Sequence, residues 1–182
     1  MLFRSASVTR TFTLDNMPPT LTVTAPVSGS FVQGPVTITF SATDNFPPAT
    51  VTATLDGVGF SSGGTVNTEG AHTLVVNAVD RAGNPAPTVT RTFTIDNTPP
   101  VLTVTAPASG SYVRGPVTIT FSITDANPGA TASATLDGAA FASGGSVNVE
   151  GPHTLVVNGT DAAGNPRSEE HTSELQSPCN LV

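Results

Sequence analysis

The sequence has no tryptophan, a single cysteine and only 10% charged residues in a chain of 182. Lysine is missing altogether, so its six cationic side chains are all arginine, scattered along the chain. Each shortage excludes something. A surface that follows a nucleic-acid backbone needs clustered Lys and Arg, so a net charge of -7 with dispersed arginines excludes nucleic acid as the expected partner. One cysteine, Cys179, allows no internal disulfide and leaves the redox compartment unread. No apolar run approaches the roughly 20 residues of a transmembrane helix, and the first residues lack the apolar centre of a secretory leader. The start of the natural protein is therefore expected to lie upstream.

What fills the space is Thr, Val, Ala, Gly, Pro and Ser, with 37% hydrophobic residues. That mixture favours strands and turns over helices. Self-similarity organises it. Phe12 aligns with Phe93, Asp44 with Asp125, His72 with His153 and Asn84 with Asn165, a constant offset (93 − 12 = 81) with no insertion or deletion. About seven positions in ten agree between the two copies, a signature of duplicated modules.

The phase of the repeat is informative. Val8–Leu14 matches Val89–Ile95, the segment that closes the first full copy, and the second copy stops matching after Pro166. The terminal segment from Arg167 resembles a translated sequencing adapter, and Leu2–Ser5 can be encoded by the reverse complement of the DNA encoding Arg167–Glu170. The expected division follows: residues 1–5 and 167–182 of adapter origin, 6–16 the closing strand of a preceding repeat, 17–97 a complete repeat, and 98–166 a second repeat lacking its last strand. On this reading His171, Cys179 and the acidic Glu169, Glu170 and Glu174 carry no chemistry.

Within a repeat, Val36, Ile38 and Phe40 alternate with Thr37, Thr39 and Ser41, the period of two that sends one set into a core. Leu21 and Val23, then Val51, Ala53 and Leu55, then Leu74, Val76 and Ala78 follow the same rule. Turn signals separate them at Asp44-Asn45, Asp56-Gly57, Gly63-Gly64, Glu69-Gly70 and Gly83-Asn84-Pro85. About seven short strands in roughly 80 residues predict an all-β fold of tandem immunoglobulin-like Greek-key β-sandwiches, the second one truncated. An up-and-down barrel is the alternative. With no Trp and no cysteine pair, the core must rest on Val, Leu, Ile and Phe.

Phe-Thr-Ile-Asp-Asn-Thr-Pro-Pro at 93–100, Ala-Pro-Ala-Ser-Gly-Ser at 106–111, Glu-Gly-Pro-His-Thr-Leu at 150–155 and Thr-Asp-Ala-Ala-Gly-Asn at 160–165 resemble bacterial Ig-like repeats of adhesins and other large extracellular proteins. The resemblance covers Val8 to Pro166. It implies an extracellular or cell-surface location, neighbouring Ig-like repeats as partners, and a spacer or adhesive-stalk role without catalysis. A glycan- or protein-binding module, or an accessory spacer of a secreted enzyme, is the alternative. Exposed aromatics would favour binding; no Trp and one Tyr, Tyr112, favour the stalk.

Three aspartates per repeat come closest to chemistry: Asp15, Asp44 and Asp80, repeated as Asp96, Asp125 and Asp161. The inter-repeat linker, the end of the second strand and the end of the sixth should meet at one pole of a sandwich. Carboxylates gathered there repel, and a hard divalent cation relieves them; Ca²⁺ takes six to eight oxygens, so Asn97, Asn127 and Asn165 would help complete its shell. Related adhesin repeats imply calcium at such junctions, which the Pro-Pro pairs at 18–19 and 99–100 would stiffen. Turn chemistry without metal is the competing explanation of the same aspartates. His72 and His153, at the start of the sixth strand, are expected to brace a corner. Asn158-Gly-Thr160 matches a glycosylation acceptor but lies in an expected strand, and Gly63-Gly64 and Gly144-Gly145 precede no helix that could hold a phosphate. The truncated second repeat is expected to expose an unpaired edge, which the orphan Val8–Leu14 of a neighbouring molecule would complete.

Overall fold

A computed structural model describes residues 7–175, with side chains as far as Glu169. All regular structure among these residues is strand. The first repeat contains β1 (Thr20–Ala25), β2 (Ser30–Val32), β3 (Val36–Thr37), β4 (Thr39–Thr43), β5 (Thr50–Leu55), β6 (Val58–Gly59), β7 (Thr65–Val66), β8 (Gly70–Val79) and β9 (Val89–Ile95). The second contains β10 (Val101–Ala106), β11 (Tyr112–Val113), β12 (Val117–Thr118), β13 (Thr120–Thr124), β14 (Thr131–Leu136), β15 (Ala139–Phe141), β16 (Ser146–Val147), β17 (Gly151–Thr160) and β18 (Pro166–Leu175). The layers are those of an immunoglobulin-like β-sandwich: five-stranded sheets ordered β2-β9-β8-β5-β6 and β11-β18-β17-β14-β15, accompanied by the pairs β1-β4, β3-β7, β10-β13 and β12-β16.

Nine strand segments per repeat replace the seven expected. The extra ones arise where a strand changes partner. Ile38 divides β3, which pairs with β7, from β4, which pairs with β1. Its N–H donates to the Gly64 carbonyl at 2.9 Å and its carbonyl accepts from the Gly63 N–H at 2.8 Å. One continuous alternating stretch thus serves two sheets, and period-two patterning cannot show where it crosses. β5 and β6 are joined by the two-residue turn Asp56-Gly57, with φ of +53° and +81°; Asp137-Gly138 repeats it at +51° and +82°. Two consecutive positive φ angles are what a tight hairpin requires, and Asp followed by Gly supplies them with little strain.

The alternation is clearest on β8, where Leu74, Val76 and Ala78 are buried, Thr73, Asn77 and Val79 are exposed and Val75 is half-buried. On β9, Phe93 and Ile95 are buried to 2% and 0% exposure. The core of the second repeat gathers Leu102, Ile119, Ala134, Val147, Leu155 and Val157, with Phe121, Ile123 and Phe141 against them.

Two features of the strand pairing bear on the expected divisions. In the second repeat β18 runs antiparallel to β17 and parallel to β11, in the closing place that β9 takes in the first repeat. Main-chain hydrogen bonding needs no particular side chains, so residues 166–175 complete the ladder although they share no pattern with Val89–Ile95. No unpaired edge is left at that position. Val8–Leu14, expected as a closing strand, forms no strand; Val8, Phe12 and Leu14 are 79%, 90% and 73% exposed. Residues 1–5, Cys179 and the rest of 176–182 lie outside the described residues, as do the side chains of Glu170, His171 and Glu174.

The chain forms two compact units whose bounds do not follow the repeats. One takes in the chain up to Ser28, Thr37–Val66 and His72–Thr92; the other takes in Gly29–Val36, Asn67–Ala71 and everything from Phe93 onward. Each aspartate triad falls within a single unit.

Candidate cation site

Each triad is assembled from a chain entry and two strand ends. Asp96 follows the last residue of β9, Asp125 the last of β13, and Asp161 the last of β17. One carboxylate oxygen from each lies within 4.8 Å of the others, and the same holds for Asp15, Asp44 and Asp80. The proximity expected from strand order is therefore observed in both copies.

Local hydrogen bonds aim these side chains. Asp96 Oδ1 accepts from the Thr98 N–H at 3.1 Å, Asp125 Oδ1 from the Asn127 N–H at 2.7 Å, and Asp44 Oδ1 from the Phe46 N–H at 2.8 Å. These are Asx turns, in which a strand-ending aspartate binds the backbone two residues on. Asp161 is held differently. Its Oδ1 accepts from the Asn165 N–H at 2.8 Å and its Oδ2 from Asn165 Nδ2 at 2.7 Å. Asp80 and Asn84 repeat the arrangement at 2.8 and 2.7 Å. Burial pushes the carboxyl pKa values of Asp161 and Asp80 upward. The hydrogen bonds from Asn165 or Asn84, with neighbouring backbone N–H groups, outweigh that and hold both below the usual carboxylate range.

Hydrogen bonds fix the orientation of the asparagine amides. Asn165 and Asn127 turn their amide nitrogens inward: Asn165 Nδ2 also donates to the Asp96 carbonyl at 2.9 Å, and Asn127 Nδ2 donates to Asp96 Oδ2 at 2.9 Å. Asn165 Oδ1 instead accepts from Gln33 Nε2 at 2.6 Å, and Asn97 Oδ1 accepts from the Gly34 N–H at 2.8 Å. Asn165 and Asn127 thus brace the aspartates, whereas Asn97 binds the neighbouring loops through Gly34 and Glu69. A neutral Asn beside an Asp is a useful brace because it donates without contributing a further charge. Gln33 escaped the sequence reading, and Glu69 was marked only as part of a turn. Glu69 Oε1 accepts from Thr98 Oγ1 at 2.5 Å and the Asn97 N–H at 3.3 Å, and no period or motif marks such contacts.

The donor set fits a hard cation. All six side chains offer carboxylate oxygen, and two oxygens on one Ca²⁺, each about 2.4 Å from it, are at most about 4.8 Å apart. Asp44 Oδ2 is buried with no hydrogen-bond partner, the condition a cation would relieve.

The histidines brace a turn. His72 Nδ1 lies 2.7 Å from Asp56 Oδ2, and His153 Nδ1 lies 2.6 Å from Asp137 Oδ2, each aspartate being the first residue of its tight hairpin turn. Asp56 and Asp137 also accept from the Thr73 and Thr154 N–H groups at 2.7 and 2.8 Å. His153 Nε2 lies 2.8 Å from the Val149 carbonyl, which with Asp137 raises the pKa of the ring despite its partial burial. The Asp-Gly turns were legible as turns, but not as anchors for the histidines.

Sheet order, paired turns and strand-end carboxylates define an immunoglobulin-like β-sandwich protein. A family model for the bacterial Ig-like domain (group 3) matches residues 60–150, half of the chain, and the chain belongs to that family. The fibronectin(III)-like modules of Clostridium thermocellum CbhA share the fold at 18% identity and a TM-score of 0.52, over 86% of this chain and 94% of that one. A structure concerned with host cell surface retention of a 1.5-MDa bacterial ice-binding adhesin aligns at 20% identity and a TM-score of 0.38, over 90% of this chain and 67% of that one. No curated protein matches the sequence. No helix among the described residues is long and apolar enough to cross a membrane.

Proposed function

We propose that this chain is a non-catalytic spacer or adhesin-stalk module of a bacterial surface or secreted protein, stiffened by Ca²⁺ at its aspartate triads. The observation that carries the reading is the composition of the second triad. Asp96 directly follows the closing strand of one repeat, whereas Asp125 and Asp161 come from loops of the next. A ligand shared by these three ties the end of one module to the start of the following one, which is what a load-bearing array needs. Neighbouring Ig-like repeats are accordingly the partners in this reading.

The chain's own residues prepare the joint. Asn165 fixes Asp161 and the Asp96 carbonyl together, Thr98 orients Asp96, and Pro100, fully buried, restricts the linker. Bound Ca²⁺ would neutralise the gathered carboxylates and bridge them. Extracellular modules typically bind calcium at about 10⁻⁴–10⁻³ M, which suits a site outside the cell.

Isothermal titration with CaCl₂ tests the reading, together with melting in Ca²⁺ and in EGTA. Binding at the triads with a higher melting temperature in Ca²⁺ is expected. Absence of binding heat, with EGTA leaving the melt unchanged, would sink it.

A further inference from the structure

We propose that His72 and His153 guard the two Asp-Gly turns against self-modification, in which Asp56 or Asp137 closes onto the next peptide nitrogen and ends as an isoaspartyl link. Asp followed by Gly occurs twice in the chain, at Asp56-Gly57 and Asp137-Gly138, and each pair forms a tight hairpin turn. The glycines have φ of +81° and +82°, which glycine adopts without strain. Lacking a side chain, glycine also leaves its own amide nitrogen open to the preceding carboxyl. The residue that the hairpin requires is thus the one that most favours the side reaction.

The reaction needs nothing from outside but water. The Gly138 nitrogen attacks Cγ of the protonated Asp137 carboxyl and loses its proton, and one carboxyl oxygen departs as water, leaving a five-membered succinimide. Water then adds to either carbonyl of the ring. Opening on one side returns aspartate; opening on the other leaves the main chain running through Cγ, with no change of mass. The added main-chain carbon lengthens a two-residue turn that pairs Leu136 with Ala139. Asp56 and Asp137 are both nearly half exposed, so water is at hand.

Closure requires a neutral carboxyl that is free to rotate toward the glycine nitrogen, and the fold opposes both. Asp137 Oδ1 accepts from the Thr154 N–H at 2.8 Å and Oδ2 from His153 Nδ1 at 2.6 Å, while the Asp137 N–H donates to the Thr154 carbonyl at 2.9 Å. Both oxygens are thereby tied to β17, and turning toward Gly138 breaks these bonds. Asp56 repeats the arrangement with Thr73 and His72, each at 2.7 Å, and with a main-chain bond of 2.9 Å. The His153 ring is itself fixed, because Nε2 lies 2.8 Å from the Val149 carbonyl. A carbonyl and a carboxylate only accept, so this ring donates from both nitrogens and carries a positive charge. The Thr154 N–H and His153 hold the Asp137 carboxyl below the usual range; at Asp56 burial pushes upward, and the bonds from His72 and Thr73 outweigh it. An ionised carboxylate is a poor target for the nitrogen because it has no water to release.

The test is peptide mapping, which separates an isoaspartyl peptide from its aspartyl counterpart, on the full chain after long incubation near neutral pH and well below each variant's melting temperature. Folded wild-type protein should isomerise far more slowly at both turns than the same protein in denaturant. His153→Ala should raise isoaspartate at Asp137 by about tenfold, the effect of losing one charge-assisted hydrogen bond, and leave Asp56 unchanged. His72→Ala should do the reverse, so each molecule carries its own control. His153→Asn, whose amide nitrogen takes the place of Nδ1 and donates to Asp137, should keep the wild-type rate even where it melts as low as His153→Ala. The proposal is overturned by a folded wild-type rate equal to that in denaturant, by a His153→Ala rate as slow as wild type, by a gain shared equally between the two turns, or by His153→Asn matching His153→Ala.

Discussion

The two aspartate triads share a sequence pattern and differ in surroundings. Asp96 and Asp161 are 1% and 6% exposed, and Asn165 is buried with Gln33 on its side-chain oxygen. Asp80 is as buried as its counterpart Asp161, and Asp44 and Asp125 are both half-buried; the difference lies at Asp15, which is half-buried where Asp96 is buried and borders a cavity of about 390 Å³ with Thr13, Phe46, Pro47, Arg81 and Ala82. The second repeat has Ala162 where the first has Arg81. A cation at the first triad would therefore share its neighbourhood with a fixed positive charge and with open solvent. The motif thus supplies the carboxylates, whereas burial of the first of them depends on its surroundings, as Asp96 after β9 shows.

The closing strands give a parallel contrast. β9 anchors its sheet with Phe93 and Ile95, while β18 has Ser173 at the register position of Phe93. Phe93→Ala should be the most damaging of the changes considered, costing about 3–5 kcal/mol. Calorimetry should show the loss in the first repeat's transition, and an unchanged first transition would erase the distinction.

Next in size is the metal dependence. At a Ca²⁺ concentration of 100 times Kd the expected stabilisation is about 2.7 kcal/mol. Titration should resolve two sites, the tighter one lost in Asp96→Asn and Asp161→Asn and the weaker one in Asp15→Asn and Asp80→Asn. Equal affinities would mean that burial and Arg81 do not matter. Asn165→Ala should follow, at about 1–3 kcal/mol, because it strips hydrogen bonds from a buried carboxylate. Asn84→Ala, at a partly exposed site, should cost less in the same denaturant titration.

The smallest effect is the pH response of the His153–Asp137 pair. The raised pKa of His153 means that its contribution is complete below the unfolded value of about 6.5 and is lost as pH rises through the folded value. Asp137 is lowered, chiefly by the Thr154 N–H and His153, so its contribution is complete above 3.8 and is lost as pH falls through the folded value. Stability owed to the pair should peak between about pH 4 and 6.5, and His153→Gln should flatten the alkaline side of a melting-against-pH profile.

Much of this was legible in the chain. The offset that pairs Phe12 with Phe93 established the repeat, the alternation of Leu74, Val76 and Ala78 gave a core-facing strand, and Asp56-Gly57 marked its hairpin. Strand order even brought Asp96, Asp125 and Asp161 to one pole. The side-chain contacts of Gln33 and Glu69 were not legible because loop side chains carry no period. The pairing of β18 with β17 was not legible either, because residues 166–175 share no pattern with Val89–Ile95.

What the sequence determined by itself is therefore local and periodic: which residues face inward, where the chain turns, and that the plan is used twice. Tertiary structure decided which way each amide of Asn97, Asn127 and Asn165 points, how deeply each triad is buried, and which segment closes each sheet. The reason is physical. Facing and turning are set by backbone geometry over a few residues, whereas burial and hydrogen-bond direction depend on groups distant in sequence, and a β-ladder accepts any backbone that can reach it.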